Sequence, residues 1–216
     1  TATHIEKLYG AMSERGLSNQ TIRHLHRLLR EALSWAVKRK LLSDNPTDVV
    51  DAPTVESKEM PMWDLPTLHR FLGICEGSKY GDFYKVALFT GMRRNEICGL
   101  TWDNVDLVEG RLKVAQTLHY INGEGLYYGS PKTERSRRTI PLAQDVIDLF
   151  HSMKGQLVAD GLPSTGDAHV FVRPSGQPLL PSEVSKDFGL LVKAHGLPHL
   201  SLHGLRHGFA TLGLMA

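Results

Sequence analysis

Apolar residues recur at helical spacing in the N-terminal part of the chain. Ile22, Leu25 and Leu29 lie three or four positions apart, which predicts an amphipathic helix. Ser18 stands just before this pattern, where its hydroxyl can cap the first turn. The helix is expected to end before Pro46, because a residue that precedes proline disfavours helical geometry.

The periodicity lapses between Ala52 and Pro61. This stretch is polar, contains two prolines and shows neither a helical nor a strand repeat, which is typical of a linker. We therefore predict a linker at residues 53–60. It separates a small helical part, residues 1–52, from a larger part, residues 61–216.

The larger part alternates between helical and strand patterns. Its apolar spacing predicts helices over residues 65–76, 82–89, 93–100, 143–160 and 203–215, and a further helix capped by Ser182. Other stretches predict strands over residues 111–118, 126–129, 138–142 and 170–172. The succession indicates an α+β fold, mostly helical with a small antiparallel sheet.

Composition excludes several classes of protein. The chain has 216 residues, of which 41% are hydrophobic and 22% charged, as in ordinary globular proteins. Its apolar runs are far shorter than the roughly 18 residues that cross a membrane, and residues 1–10 do not resemble a secretory signal. Cys75 and Cys98 are isolated, which argues against a disulfide framework and against a cysteine zinc site. We expect a cytoplasmic location and no membrane partner.

The formal net charge of +2 is small, so the positions of the cations matter more than their sum. Arg23, Arg27, Arg30 and Lys38 fall on one stripe of the N-terminal helix. Such a stripe is either a solvated face or a surface that contacts DNA phosphates without reading sequence. Spacing alone leaves both interpretations open.

Three segments carry more cations and histidines than packing requires, and the first covers residues 90–97. Gly91 marks a turn into a short helix, on which Arg93 and Glu96 lie three positions apart, close enough to interact. The glutamate can orient the guanidinium and leave its other donors for an anion. The alternative is a surface ion pair of little energetic value.

The second segment covers residues 131–141. Its cations are Lys132, Arg135, Arg137 and Arg138, set against Glu134, and predicted strands flank them. This arrangement predicts a hairpin tip that can enter a DNA groove, and a desolvated lysine on it can donate a proton. The alternative is a solvated loop.

The third segment covers residues 203–211. His203, Arg206 and His207 share one face near the start of the last predicted helix, where backbone amides also favour an anion. The two histidines have the spacing of a zinc pair. The metalloprotease helix, however, places a glutamate after the first histidine, and here Gly204 stands there.

One reaction uses all three segments. Two arginines can grip the non-bridging oxygens of a phosphodiester and neutralise the charge that grows on its phosphorus. A neighbouring histidine can donate a hydrogen bond or a proton, and a lysine can protonate the departing sugar oxygen. The cations take over the electrostatic role of a metal, so we expect neither a metal nor a cofactor. A nucleophile is missing from this set.

The three segments resemble the signature boxes of the tyrosine recombinase (phage integrase) family. They read T-G-M-R-x-x-E, P-K-T-x-x-S-x-R-x-I-P-L and H-x-L-R-H-x-x-A-T, in the family's order. Residues 18–46 resemble the last part of the family's core-binding domain, an all-helical arm that contacts DNA. The resemblance implies that residues 61–216 are the catalytic domain and residues 1–52 a partial arm.

The resemblance also implies a function and roles for single residues. The parent protein would be a site-specific recombinase or integrase of a phage or mobile element, acting on double-stranded DNA and self-associating on it. Arg93 and Arg206 would bind the scissile phosphate, His203 would donate or accept a proton, and Lys132 would protonate the 5′ oxygen. Glu96 and His207 would support them, and Arg135 and Arg137 would contact DNA. Arg94 stands outside the pattern, and we interpret it as a surface cation.

The family's nucleophilic tyrosine follows the second arginine box. Every tyrosine of this chain precedes His203, and the sequence ends at Ala216. We therefore expect a fragment that binds DNA and lacks the nucleophile, either from an active integrase or from a non-catalytic DNA-binding or regulatory remnant.

The first prediction concerns this nucleophile. The polypeptide of residues 1–216, incubated with a nicked suicide DNA substrate, should form no covalent protein–DNA adduct, because none of its tyrosines occupies the family's position. Denaturing electrophoresis measures the adduct, and a stable adduct at any tyrosine of this chain would contradict the expectation.

Overall fold

A computed structural model of the protein describes residues 1–56, 61–129 and 137–213, with the backbone alone described at residues 207 and 209–213. The chain forms two compact units, Thr1–Glu59 and Met60–Ala216. The assignment of the first unit as a core-binding arm stays a prediction.

The first unit consists of helices α1 (Ala2–Glu14) and α2 (Asn19–Lys38) and a short 3-10 turn at Pro46–Val49. The predicted cap of α2 is confirmed, since the Ser18 hydroxyl oxygen accepts a hydrogen bond from the Thr21 backbone N–H at 3.2 Å. Ile5, Tyr9, Ile22 and Val50 form the small core of this unit.

The second unit is mostly helical, and the predicted α+β fold is confirmed. Its helices are α3 (Leu65–Cys75), α4 (Gly81–Thr90), α5 (Arg94–Cys98), α6 (Gln144–Ala159), α7 (Pro181–Ala194) and α8 (Leu202–Gly213). Its strands are β1 (Val105–Asp106), β2 (Arg111–Val114), β3 (Thr117–Ile121), β4 (Gly125–Gly129) and β5 (Arg138–Pro141).

The described strands form two antiparallel sheets where the sequence predicts one. One sheet has the order β1-β2-β5, and the other pairs β3 with β4. The single strand predicted over residues 111–118 is wrong, because the chain leaves the first sheet after Val114 and enters the second at Thr117. Leu112, Val114 and Leu118 are all buried and are separated by even numbers of residues. The alternation of buried and exposed positions therefore continues across the break that separates the two sheets.

Three local predictions also differ from the structure. β4 and β5 do not form the expected hairpin, because β4 pairs with β3 and β5 with β2. The strand predicted over residues 170–172 consists of one isolated bridge, Val172 to Pro178. Helix α7 begins at Pro181, and Leu180 stands at its cap in place of Ser182, since proline suits the first helical position.

An aromatic cluster lies in the core of the second unit. Trp63, Phe71, Tyr84 and Phe188 are nearly or fully buried, with ring centroids 5.0 to 6.2 Å apart. The Tyr84 hydroxyl donates a hydrogen bond to Asp187 Oδ2 at 2.7 Å, which joins α4 to α7. These contacts hold α4, the helix that leads into the segment of residues 90–97. Among the described residues, no helix is both long and apolar enough to cross a membrane.

The packing of α4 against α3 predicts opposite effects for two Gly→Ala substitutions. A Cβ on Gly81 would lie 1.9 Å from the carbonyl oxygen of Cys75, whereas a Cβ on Gly73 would meet nothing within 4 Å. Gly81→Ala should therefore destabilise the fold by about 1–3 kcal/mol. Gly73→Ala, inside α3, should stabilise it by about 0.5–1 kcal/mol. Thermal unfolding followed by circular dichroism compares the two, and equal melting temperatures would contradict this packing.

Candidate active site

The end of helix α4 determines where Arg93 begins the next helix. The Thr90 hydroxyl donates to the carbonyl of Val86 at 2.6 Å, and its oxygen accepts the Met92 N–H at 3.3 Å. Gly91 follows with φ +57°, a left-handed conformation that glycine adopts without strain. This turn places Arg93 at the cap position of α5, directly before the helix, whereas the sequence predicts it inside the helix.

The carboxylate of Glu96 is the centre of the site. Its side chain is 1% exposed, and its oxygens accept hydrogen bonds from the backbone N–H and the Nη1 of Arg93, both at 2.8 Å. Arg138 donates to the same carboxylate from Nη1 at 3.2 Å and from Nη2 at 2.9 Å. Glu96 therefore ties α5 to strand β5 and orients two guanidinium groups at once.

Two opposing effects act on the pKa of Glu96. Burial by itself would raise the pKa, but hydrogen bonds from Arg138, from the Arg93 backbone and from the Arg93 side chain outweigh it and hold the pKa below its usual value. The carboxylate therefore stays charged at neutral pH, where it keeps both arginines in place.

Arg206 reaches the same region from α8. Leu205, beside it, is fully buried, and a Cβ on Gly208 would lie 3.2 Å from Leu88 of α4, so α8 and α4 pack closely here. Nη1 of Arg206 is buried and has no hydrogen-bond partner among the described residues. Its pKa is lowered, first by burial and then by the positive charges of Arg93 and Arg138.

A buried guanidinium nitrogen needs a hydrogen-bond acceptor, and an anion is the acceptor that forms the strongest bond with it. The guanidinium groups of Arg93 and Arg138 share the single carboxylate of Glu96, and the charge of Arg206 interacts with all three groups without a hydrogen bond to that carboxylate among the described contacts. Buried charges are normally paired and hydrogen-bonded, so the surplus positive charge marks this position as an anion site.

A cavity of about 950 Å³ opens beside Arg93. Arg93 lines it from the cap position of α5, Arg94 and Glu96 line it from α5 itself, and Ser185 lines it from α7. His203, at the start of α8, also lines the cavity and has an exposed side chain. The cavity is therefore accessible to a ligand and carries donors from several elements.

Strand β3 forms another wall of the cavity through a chain of hydrogen bonds. The Thr117 hydroxyl donates to the Gly129 carbonyl at 3.1 Å, so its oxygen is left to accept from Nε2 of His119 at 3.0 Å. Nδ1 of His119 then accepts from the Asn95 amide at 3.0 Å. This network assigns a neutral tautomer to His119 and joins α5 to the second sheet.

Several residues predicted for the site lie elsewhere or outside the described residues. Lys132 and Arg135 lie outside them, and so does the side chain of His207. The side chains of Arg137 and of the α2 stripe, Arg23, Arg27, Arg30 and Lys38, are exposed. Arg30 pairs with Asp48 at 3.2 Å, with both side chains more than half exposed. Their contacts with DNA stay predictions.

Sequence reasoning misplaced Arg94 and missed the role of Arg138. Arg94 is half-buried, whereas the sequence analysis interprets it as a surface cation. The sequence predicts that Arg138 belongs to the cations of the loop. In the structure it lies on β5, on the same face as the buried Ile140. Side chains alternate between the two faces of a strand. Counting back two positions from Ile140, an apolar residue expected in the core, would have predicted that Arg138 faces inward.

The described residues include no group of three or more histidine, cysteine or acidic side chains that could hold a metal ion. Cys75 and Cys98 are free thiols, and burial raises the pKa of each to about 12. They are therefore uncharged at neutral pH.

The lowered pKa of Glu96 predicts a pH-dependent contribution to stability. A carboxyl whose pKa is lower in the folded state stabilises the fold above its unfolded pKa, about 4.3, and loses this effect as the pH falls through the folded pKa. Glu96→Gln should cost about 3 kcal/mol at neutral pH, the low end of the range for a broken buried pair.

This difference in unfolding free energy should shrink as the pH falls below about 4, because the wild-type carboxyl then becomes neutral as well. Urea unfolding from neutral to acidic pH measures it. Glu124→Gln, at an exposed turn, serves as the control with little effect throughout. A pH-independent difference for Glu96→Gln would contradict the proposed charge state.

Comparison with known proteins places this geometry in a family. The model of the phage integrase family matches residues 67–212. The chain is 26% identical over 215 residues to the transposase of transposon Tn916 from Enterococcus faecalis, covering 93% of this chain and 53% of that protein. It is 23% identical over 228 residues to a XerC-like tyrosine recombinase from Caldanaerobacter subterraneus, covering 96% and 58%.

Two solved structures are also similar to this chain. The integrase of transposon Tn1549, in complex with transposon right-end DNA, superposes with a TM-score of 0.86 and 26% identity, covering 100% of this chain and 73% of that one. A lambda integrase dimer bound to a core site shares the fold, with a TM-score of 0.70 at 18% identity and coverage of 98% and 70%.

The chain spans little more than half the length of the curated relatives, since it covers 58% and 53% of the two named above. The family model nevertheless matches more than half of the chain and includes the helices that carry Arg93, Glu96 and Arg206. The chain belongs to the phage integrase family, that of the tyrosine recombinases.

Proposed function

We propose that this chain supplies the phosphate-binding part of a site-specific DNA recombinase or integrase, which cuts and rejoins strands of double-stranded DNA. The observation that carries the proposal is the buried Nη1 of Arg206, which has no partner among the described residues and lies near Arg93 and Arg138. A phosphodiester is the anion that this family's members act on.

The charge of the site suits a phosphoryl transfer. Three guanidinium groups and one carboxylate leave two positive charges in excess. A phosphodiester carries one negative charge, and further charge accumulates on its non-bridging oxygens in the transition state. Arg93 and Arg206 would hold these oxygens, and Glu96 would keep the guanidinium of Arg93 oriented through their hydrogen bond. Fixed charges in a partly buried site stabilise such a transition state without reorganisation.

The remaining roles rest on the family resemblance. A tyrosine oxygen would attack the phosphorus, and the bond to the 5′ oxygen of the DNA would break, leaving a 3′-phosphotyrosine. Lys132 would give its proton to the departing 5′ oxygen, and His203 would assist as proton donor or acceptor. His207 would support the arginine box. The tyrosines of this chain all precede His203, so the proposal assigns the nucleophile to none of them.

The relatives support the substrate and the biological setting. One is named a transposase and others integrases, and the Tn1549 integrase binds transposon DNA. We propose that this protein acts on the DNA of a mobile element or phage, in the cytoplasm where bacterial DNA lies. It would self-associate on DNA, as the family resemblance implies.

Two further groups of cations, one in the first unit and one in the segment before β5, are proposed to contact DNA. The exposed stripe of α2, Arg23, Arg27, Arg30 and Lys38, would contact phosphates as part of a core-binding arm over residues 1–52. Arg135 and Arg137, which follow Lys132 in the sequence, would also contact DNA. Such contacts give salt-dependent affinity and little sequence information.

The proposal is tested by DNA binding of the 216-residue chain, measured by fluorescence anisotropy on a labelled duplex. Arg206→Gln should weaken binding about tenfold or more, because a hydrogen bond to a charged group contributes about 1.5–3 kcal/mol. Arg111→Gln removes the same charge from an exposed pair with Asp106 and should have little effect. Equal affinities of Arg206→Gln and the wild type would refute the phosphate role of Arg206.

A further inference from the structure

Arg94 carries a half-buried charge that the proposed reaction does not use. Half-buried arginines in the described residues are Arg94, Arg138, Arg173 and Arg206. Arg138 pairs with Glu96 at 2.9 Å and Arg173 with Glu183 at 3.0 Å. Arg206 has a proposed partner, the scissile phosphate. Arg94 has no carboxylate partner in the described part of the chain, and a charge withdrawn from water normally has one.

Two neutral side chains fix the orientation of Arg94. Its Nε donates to Asn95 Oδ1 at 3.1 Å, and its Nη1 donates to Ser185 Oγ at 2.6 Å. The bonds attach the guanidinium to α5 and α7, so it is held in place before any ligand arrives. A guanidinium carries more N–H donors than these two bonds use, and neither bond neutralises its charge.

The surroundings of Arg94 favour a second anion in the cavity already described. Arg94 and Ser185 line it together with Arg93 and His203. Among the described residues that line it, Glu96 is the one acidic residue, and Arg93 and Arg138 already bind its carboxylate. A cavity of about 950 Å³ is larger than one phosphate group needs, since drug-sized ligands fill about 300–1,000 Å³. It has room for a sugar with a phosphate on either side.

We propose that Arg94, oriented by Asn95 and Ser185, binds a second phosphate of the same DNA strand, next to the phosphate held by Arg93 and Arg206. This inference rests on the proposed function. Contacts to two consecutive phosphates fix the orientation of the strand in the site. Arg94 therefore positions the scissile linkage and reads no base.

Two small probes separate this proposal from the proposed function. Thymidine 5′-monophosphate carries one phosphate, and thymidine 3′,5′-bisphosphate carries two that flank one nucleoside, as in a DNA strand. The wild-type chain should bind the bisphosphate about tenfold more tightly in isothermal titration calorimetry, the low end of the effect of one charge-assisted contact. Arg94→Gln should lose this preference and keep the affinity for the monophosphate.

The remaining outcomes separate a failure of the proposed function from a failure of this inference alone. Arg206→Gln should weaken both probes. If neither probe binds the wild-type chain, the proposed function fails and the inference fails with it. If both bind equally, or if the preference persists in Arg94→Gln, the second phosphate site is refuted while the first stands.

The alternative is that Arg94 only joins α5 to α7, and the salt dependence of DNA binding distinguishes this case. Neutralising one phosphate contact changes the slope of log affinity against log salt by about 0.9. Arg94→Gln should lower the slope by this amount, whereas Ser185→Ala, which keeps the charge, should weaken binding with an unchanged slope. Arg111→Gln is the matched control with an unchanged slope. A lower melting temperature of Arg94→Gln with an unaltered slope would establish the purely structural role.

Discussion

The organisation of the site depends on one buried carboxylate, that of Glu96. With 1% of its side chain exposed, this group stays charged because Arg93 and Arg138 both donate to it. Each partner needs the other, since a buried charge left unpaired costs several kcal/mol. Glu96 therefore neutralises one charge, orients a guanidinium that remains half exposed, and connects helix α5 to strand β5. The surplus positive charge, most evident at Arg206, is what an anion can satisfy.

The scaffold brings these groups together through ordinary packing. The aromatic cluster and the bond between Tyr84 and Asp187 hold α4 against α7, and the left-handed Gly91 ends α4 where Arg93 must begin. Close approach at Gly208 brings α8, with Arg206, onto α4. Arg93, at the start of α5, and Arg138, on β5, share the Glu96 carboxylate, and α8 brings the charge of Arg206 near them. The site therefore forms only when this packing is complete. The fold that achieves it is the one of the Tn1549 integrase.

The partners of the half-buried arginines separate structural from ligand-binding charges. Arg138 and Arg173 are satisfied by glutamates of the same chain. Arg94 and Arg206 have no such partner among the described residues. Arg94 lines the cavity, and the charge of Arg206 interacts with those of Arg93 and Arg138. The same physical rule, that a charge leaving water needs a counter-charge, supports both proposals: the scissile phosphate as the ligand of Arg206 and the adjacent phosphate as the ligand of Arg94. The two proposals therefore depend on one argument applied at two positions.

By itself the sequence determined the family, the α+β class and most helices, because these follow from short motifs and from repeats within one element. The boxes around Arg93 and Arg206 are local strings, and the cap at Ser18 needs only a neighbouring turn. Tertiary structure alone decided which strands pair, that Arg94 is half-buried, and that Arg138 shares Glu96. Glu96 and Arg138 are 42 positions apart, so their pairing depends on how the chain packs around the core. The periodicity of apolar residues along one element carries no information about such a contact.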